Sequence, residues 1–107
     1  MRFVTLIASL LISSLALAHT PVCRCELTGN NITCTGQFHD GSEANGVAMT
    51  VFDYHNNTLV SGELNKQSRF QFTQPQQPFY LIMDAGPGEM FEVDWKDVKG
   101  IDPASYQ

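Results

Sequence analysis

The segment that decides the fold runs from Val22 to Phe38 and reads VCRCELTGNNITCTGQF. Its Gly29-Asn30 pair separates two runs that contain β-branched residues, which is the signal of a β-hairpin with a two-residue turn. With that turn, Cys25 lies directly opposite Cys34 at a non-hydrogen-bonded position, where paired side chains are closest. A turn shifted by one residue puts Cys25 opposite Gly36 instead, so the predicted pairing depends on the turn.

Similar short segments follow along the chain, each bounded by Gly, Asn, Asp or Pro, while helical spacing is nearly absent. Their spacing is typical of a β-sandwich. The sequence therefore predicts an all-β protein, a single small antiparallel β-sandwich of about seven strands. The predicted strands are Val22–Thr28, Ile32–Phe38, Val47–Tyr54, Leu59–Leu64, Arg69–Thr73, Phe79–Asp84 and Glu89–Lys96.

Alternation of apolar and polar residues predicts which side of each strand is buried. In the last predicted strand, Phe91, Val93 and Trp95 share one side and acidic or basic residues share the other. The run from Phe79 to Met83 is apolar throughout, which favours a strand that is covered on both sides. The methionines Met49, Met83 and Met90 are expected in the core.

The N-terminal region has the pattern of a secretory signal peptide. Arg2 precedes an apolar run from Phe3 to Leu17, and Ala18 completes a small-x-small cleavage site. We predict a signal peptide over 1–18, which is removed, and a β-sandwich domain over 19–107 that begins with His19. The expected location is the bacterial periplasm, with no stable membrane anchor.

Composition restricts the function. The 107 residues carry a formal net charge of −5 and only six Lys and Arg residues. Binding to phosphates needs a basic stripe, so a nucleic-acid partner is not expected. The sequence also lacks a Gly-x-Ser-x-Gly elbow, a His-Glu-x-x-His motif and a phosphate-binding glycine loop, and we predict that the protein is not an enzyme and has no catalytic residues.

Two stretches resemble known families. From Phe38 to Phe72 the chain has FHDGS, then GVAMTVFD, LVSGEL and SRFQF, which resembles the transthyretin-like sandwich of carboxypeptidase regulatory domains. This resemblance implies a transthyretin- or immunoglobulin-like arrangement of the strands. Because such sandwiches have many roles, it implies little about function.

The second stretch, from Phe79 to Val93, reads FYLIMDAGPGEMFEV. It is similar to a segment of small periplasmic accessory proteins of nickel and cobalt uptake systems, which also tend to begin with histidine after signal cleavage. Members of that family usually have histidine after the second glycine of the turn, where this chain has Glu89. The resemblance implies capture or delivery of a divalent metal to the components of a membrane transporter.

His19 is the first candidate metal ligand, because cleavage before it frees an α-amine next to the imidazole of the same residue. These nitrogens suit Ni²⁺, Co²⁺ or Cu²⁺. The histidine His39 is a further candidate, and Asp84 and Glu89 provide carboxylates at the ends of the turn that carries the resemblance. A frayed terminus without metal is the alternative for His19.

The three cysteines allow two interpretations. In the first, Cys25 and Cys34 form a disulfide, or Cys23 pairs with Cys34, and the remaining cysteine is a free thiol. In the second, Cys23 and Cys25 bind Cu⁺ or Zn²⁺ together with His19, since alternation puts these residues on one side of the strand. We favour the disulfide, because oxidising conditions compete with thiolate ligation.

These observations lead to one predicted function and two alternatives. The prediction is an exported accessory protein that captures or delivers nickel or cobalt for membrane uptake, with a Ni or Co ion as its cofactor. A periplasmic copper-binding protein with an N-terminal histidine is the first alternative. The second is a transthyretin-like module that binds other proteins and no metal.

Overall fold

The structure is a computed structural model that describes residues 20–106. The predicted signal peptide and His19 lie outside the described residues. Seven strands are present, followed by short 3₁₀ helices at Trp95–Asp97 and Pro103–Tyr106. The strands are β1 (Pro21–Thr28), β2 (Asn31–Phe38), β3 (Ala48–Asp53), β4 (Thr58–Glu63), β5 (Arg69–Thr73), β6 (Phe79–Asp84) and β7 (Met90–Asp94).

The strands form two antiparallel sheets that pack as a sandwich, which confirms the predicted fold class. One sheet has the order β1-β2-β5 and the other has the order β4-β3-β6-β7. The hairpin of β1 and β2 has the predicted register, with Thr28 paired to Asn31 and Cys25 paired to Cys34. The turn is therefore Gly29-Asn30, and Gly29 has the positive φ of 62° that such a turn requires.

The core lies between the sheets and is filled by alternate residues of the strands. Its largest fully buried side chains are Phe79, Ile32, Met49, Leu64, Leu81, Met83 and Val51. Phe72 packs edge-on against Phe79, and Phe79 packs in the same way against Tyr106, which ties the C-terminal segment to the core. Among residues 20–106, no helix is long and apolar enough to cross a membrane.

Two predictions about burial and one about the end of the last strand need correction. Met90 is 57% exposed and is not a core residue, because it begins β7 on the outer side. Tyr80 and Ile82 are half-buried, so β6 is covered fully on only one side. The last strand ends at Asp94, whose carboxylate accepts a hydrogen bond from the Lys96 amide and starts the 3₁₀ helix.

Candidate functional site

Four strand ends that carry candidate ligands meet at one end of the sandwich. β1 begins there and β2 ends there, since Pro21 pairs with Phe38. In the other sheet β6 ends and β7 begins at the same level, since Asp84 pairs with Met90. The two pairs of strand ends are close to each other, because a Cβ atom added at Gly36 of β2 would lie 3.1 Å from Met83 Cε of β6. We call this region the polar end.

His39 lies at the polar end, directly after β2, and its side chain is exposed. Its amide donates a hydrogen bond of 2.7 Å to the carbonyl oxygen of Thr20. This bond extends the β1–β2 pairing by one residue beyond the strands. The described part of the chain therefore begins, at Thr20, beside His39.

The turn between β6 and β7 brings Asp84 and Glu89 to the same end. The Ala85 amide donates to the Glu89 carbonyl over 2.8 Å, and the Glu89 amide donates to the Gly86 carbonyl over 2.8 Å. Gly86 and Gly88 have φ values of 129° and 76°, which favour glycine. Asp84 is exposed, and its Oδ1 accepts a hydrogen bond from the Gly86 amide.

The loop after His39 is held by Ser68, a residue that the sequence analysis missed. The Ser68 hydroxyl accepts a buried hydrogen bond of 3.0 Å from the Ala44 amide, and the Ser68 carbonyl accepts one of 2.9 Å from the Gly36 amide. Ser68 is buried with a φ of 60°, which is uncommon outside glycine. A serine next to Arg69 gives no local sequence signal for this long-range contact.

His55 lies at the opposite end, in the β3–β4 turn. The Asp53 carboxylate holds this turn, because its Oδ1 accepts hydrogen bonds from the amides of His55 and Asn57. The Asn57 side chain adds a hydrogen bond of 3.0 Å to Oδ2. These hydrogen bonds, those of Asn57 first, hold the pKa of Asp53 below its ordinary value. Both oxygens of this carboxylate therefore serve the turn.

The cysteines form a second candidate site inside the hairpin. Cys25 and Cys34 are joined by a disulfide, which confirms that pairing, and Cys23 is a free thiol. The three sulfur atoms all lie within 4.8 Å of one another. Cys23 is 6% exposed, and burial raises the pKa of its thiol to about 12, against an opposing effect of Arg24.

Among residues 20–106, these cysteines are the one group of three potential ligand side chains brought that close together. His39, Asp84 and Glu89 share the polar end but do not form such a group. The alternative in which His19 binds Cu⁺ or Zn²⁺ together with Cys23 and Cys25 involves His19, which lies outside the described residues. The three sulfur atoms converge on one side of the hairpin, as the alternation of side chains and the predicted register indicate.

A groove gives access to the cysteines. It has a volume of about 550 Å³ and runs between β1 and β7, the neighbouring edges of the two sheets. Cys23 and Cys25 line it, together with Arg24, Lys99 and Phe91. The backbone of Lys99 pairs with the edge of β1, because the Lys99 amide donates a hydrogen bond of 3.0 Å to the Cys25 carbonyl.

Aromatic residues on the outer side of the second sheet were not predicted as a group. Phe52 stacks on Tyr80 with ring centroids 5.3 Å apart, and the Tyr54 hydroxyl donates a hydrogen bond to Asp94. Partial desolvation and this hydrogen bond raise the pKa of Tyr54 to about 12. Alternation along β3 provided the signal, since Phe52 and Tyr54 are two residues apart.

Comparison with known proteins identifies no relative: no family model, curated protein or solved structure matches the chain.

Proposed function

We propose that this chain is an exported accessory protein that binds a divalent transition metal, nickel or cobalt, and delivers it to a membrane uptake system. In this proposal the signal peptide is removed before His19 and the protein acts in the periplasm. The ligands are His19 with its α-amine, His39, and the carboxylates of Asp84 and Glu89. The site belongs to the polar end of the sandwich.

The observation that carries the proposal is the hydrogen bond between the His39 amide and the Thr20 carbonyl. Because His19 precedes Thr20 in the sequence, cleavage at the predicted position would leave the new α-amine one residue from the Thr20–His39 pair. Two imidazoles and an amine are nitrogen ligands, which suit Ni²⁺ and Co²⁺.

Charge and topology support the carboxylates as further ligands. The chain has eleven acidic residues against six basic ones, which favours the approach of cations. Asp84 and Glu89 border a turn whose main chain is satisfied internally by the hydrogen bonds at Ala85 and Glu89. Asp84 is exposed and Glu89 is half-buried, so neither side chain belongs to the core.

The proposal is tested by calorimetric titration of the secreted protein with Ni²⁺ and Co²⁺, after mass spectrometry has established that the chain begins at His19. We expect micromolar or tighter binding of one ion. His39→Gln should weaken binding about 10- to 100-fold, and an additional alanine before His19 should do the same. His55→Gln is the matched control, because that exposed histidine lies at the opposite end and should change nothing.

Absence of binding at micromolar concentrations would overturn the proposal, as would equal effects of the His39 and His55 substitutions. Copper needs a separate readout, because Cu²⁺ binds most nitrogen sites more tightly than Ni²⁺ or Co²⁺. The readout that distinguishes the metals is their content in cells. Deletion of the gene should lower the nickel or cobalt content. A loss of copper tolerance with unchanged nickel and cobalt content would favour the copper-binding alternative instead.

A further inference from the structure

We propose that the three cysteines of the β1–β2 hairpin form a redox-gated site for Cu⁺, which opens when the Cys25–Cys34 disulfide is reduced. The site is separate from the polar end and uses only sulfur ligands. It rests on the convergence of three sulfur atoms and on the groove that is lined by two of these residues, Cys23 and Cys25.

The distances suit three sulfur ligands around one ion. A metal–thiolate bond of about 2.3 Å places the sulfur atoms of a trigonal site about 4 Å apart. The sulfur atoms of Cys23, Cys25 and Cys34 lie within 4.8 Å of one another while two of them are still joined. Once the disulfide opens, small side-chain rotations separate Cys25 and Cys34 enough to surround an ion, and the strands need not move.

The free thiol is already aimed at this cluster. Cys23 is more than nine-tenths buried, and it shares one side of β1 with Cys25.

The ligand set favours Cu⁺ over the other common ions. Thiolates are soft ligands and select Cu⁺ or Zn²⁺ over Ni²⁺ and Co²⁺. A structural Zn²⁺ site needs four ligands, and no His, Asp or Glu of the described region joins the three sulfur atoms within 4.8 Å. Cu⁺ accepts three ligands. Acidic residues outnumber basic ones along the groove, which is lined by Glu26, Glu92 and Asp97 as well as by Arg24 and Lys99, and this favours the approach of a cation.

The chemical steps balance with one co-reactant, a dithiol reductant. It breaks the S–S bond, leaves a proton on each sulfur of Cys25 and Cys34, and is itself oxidised to a disulfide. Cu⁺ then displaces thiol protons into solvent, and its oxidation state does not change. The groove beside β1 is the path for both the reductant and the ion.

The test is a competition titration under nitrogen with Cu⁺ supplied as its bicinchoninate complex. The reduced protein should take one Cu⁺ per chain, and the disulfide form should bind at least about tenfold more weakly. Cys23→Ala should weaken binding by the reduced protein at least about tenfold. Thr35→Ala, which changes another residue of the groove, and His55→Gln should leave Cu⁺ binding unchanged.

Equal Cu⁺ affinity of Cys23→Ala and the wild type would overturn the proposal, and so would equal affinity of the reduced and disulfide forms. X-ray absorption of the reduced wild-type complex provides a measurement that needs no variant. Three sulfur neighbours around copper support the proposal, and two sulfur neighbours overturn it. Failure of the nickel titration does not affect this test, because the two sites share no ligand.

Discussion

The three cysteines lie on paired strands inside the sandwich. In contrast, His39 and Glu89 lie in loops and Asp84 is the last residue of β6, all at the polar end. Backbone pairing fixes the sulfur atoms, since Cys25 and Cys34 are direct partners and Cys23 is two residues away. Turn hydrogen bonds fix the main chain of the polar end, but its side chains are exposed or half-buried. The hairpin therefore combines a possible ligand set with a structural role, while the polar end can be changed with little effect on folding.

The largest difference between the two regions should appear on removal of the disulfide. The double variant Cys25→Ala, Cys34→Ala loses a cross-link between residues nine apart in sequence. The free energy of unfolding should fall by about 2–3 kcal/mol, because the unfolded chain regains the freedom that the cross-link removed. Urea denaturation followed by tryptophan fluorescence measures the change through Trp95.

Glu89→Gln is the comparison for the polar end and should alter the same free energy by less than about 0.5 kcal/mol. Cys23→Ala is the control for removal of a sulfur without loss of a cross-link. A double cysteine variant as stable as the wild type would show that the hairpin is held by strand pairing alone.

A smaller effect is expected where the loop after His39 meets the rest of the molecule. Ser68→Ala removes the hydroxyl that accepts the buried Ala44 amide and leaves that donor without its partner. The cost should be about 1–2 kcal/mol in the free energy of unfolding. Ser42→Ala is the matched control, because the Ser42 hydroxyl makes an exposed hydrogen bond to Asp40. Similar losses for the two variants would contradict the role assigned to Ser68.

The sequence was most informative where neighbouring residues determine the structure. The Gly29-Asn30 turn fixed the register of the first hairpin, and the register in turn predicted the Cys25–Cys34 pair. Alternation identified all seven strands and the buried positions Val93 and Trp95. These features follow from local turn chemistry and from the period of two along a strand.

Features that depend on contacts between distant segments could not be predicted. The exposure of Met90 is not one of these features, because alternation with Phe91 and Val93 already places Met90 on the outer side of β7. The contact between Ser68 and Ala44 joins two loops that are 24 residues apart. The polar end itself arises from the order of strands in two sheets, which no single segment encodes.

The smallest predicted effect is on the pH dependence of stability, and it compares Asp53 with Asp84, which lie at opposite ends of the sandwich. Asp53 has a lower pKa in the folded chain than in the unfolded chain, so the unfolded state takes up a proton first as the pH falls. The stability that this carboxylate contributes is fully present above about pH 4 and is lost as the pH falls through its folded pKa. Thermal unfolding of Asp53→Asn between pH 6 and pH 2.5 should therefore have a shallower acid dependence than that of the wild type. Asp84→Asn is the comparison at the polar end, where the carboxylate accepts one backbone amide, whereas Asp53 accepts hydrogen bonds at both oxygens. Equal flattening by both substitutions would mean that the two carboxylates support their turns to the same extent.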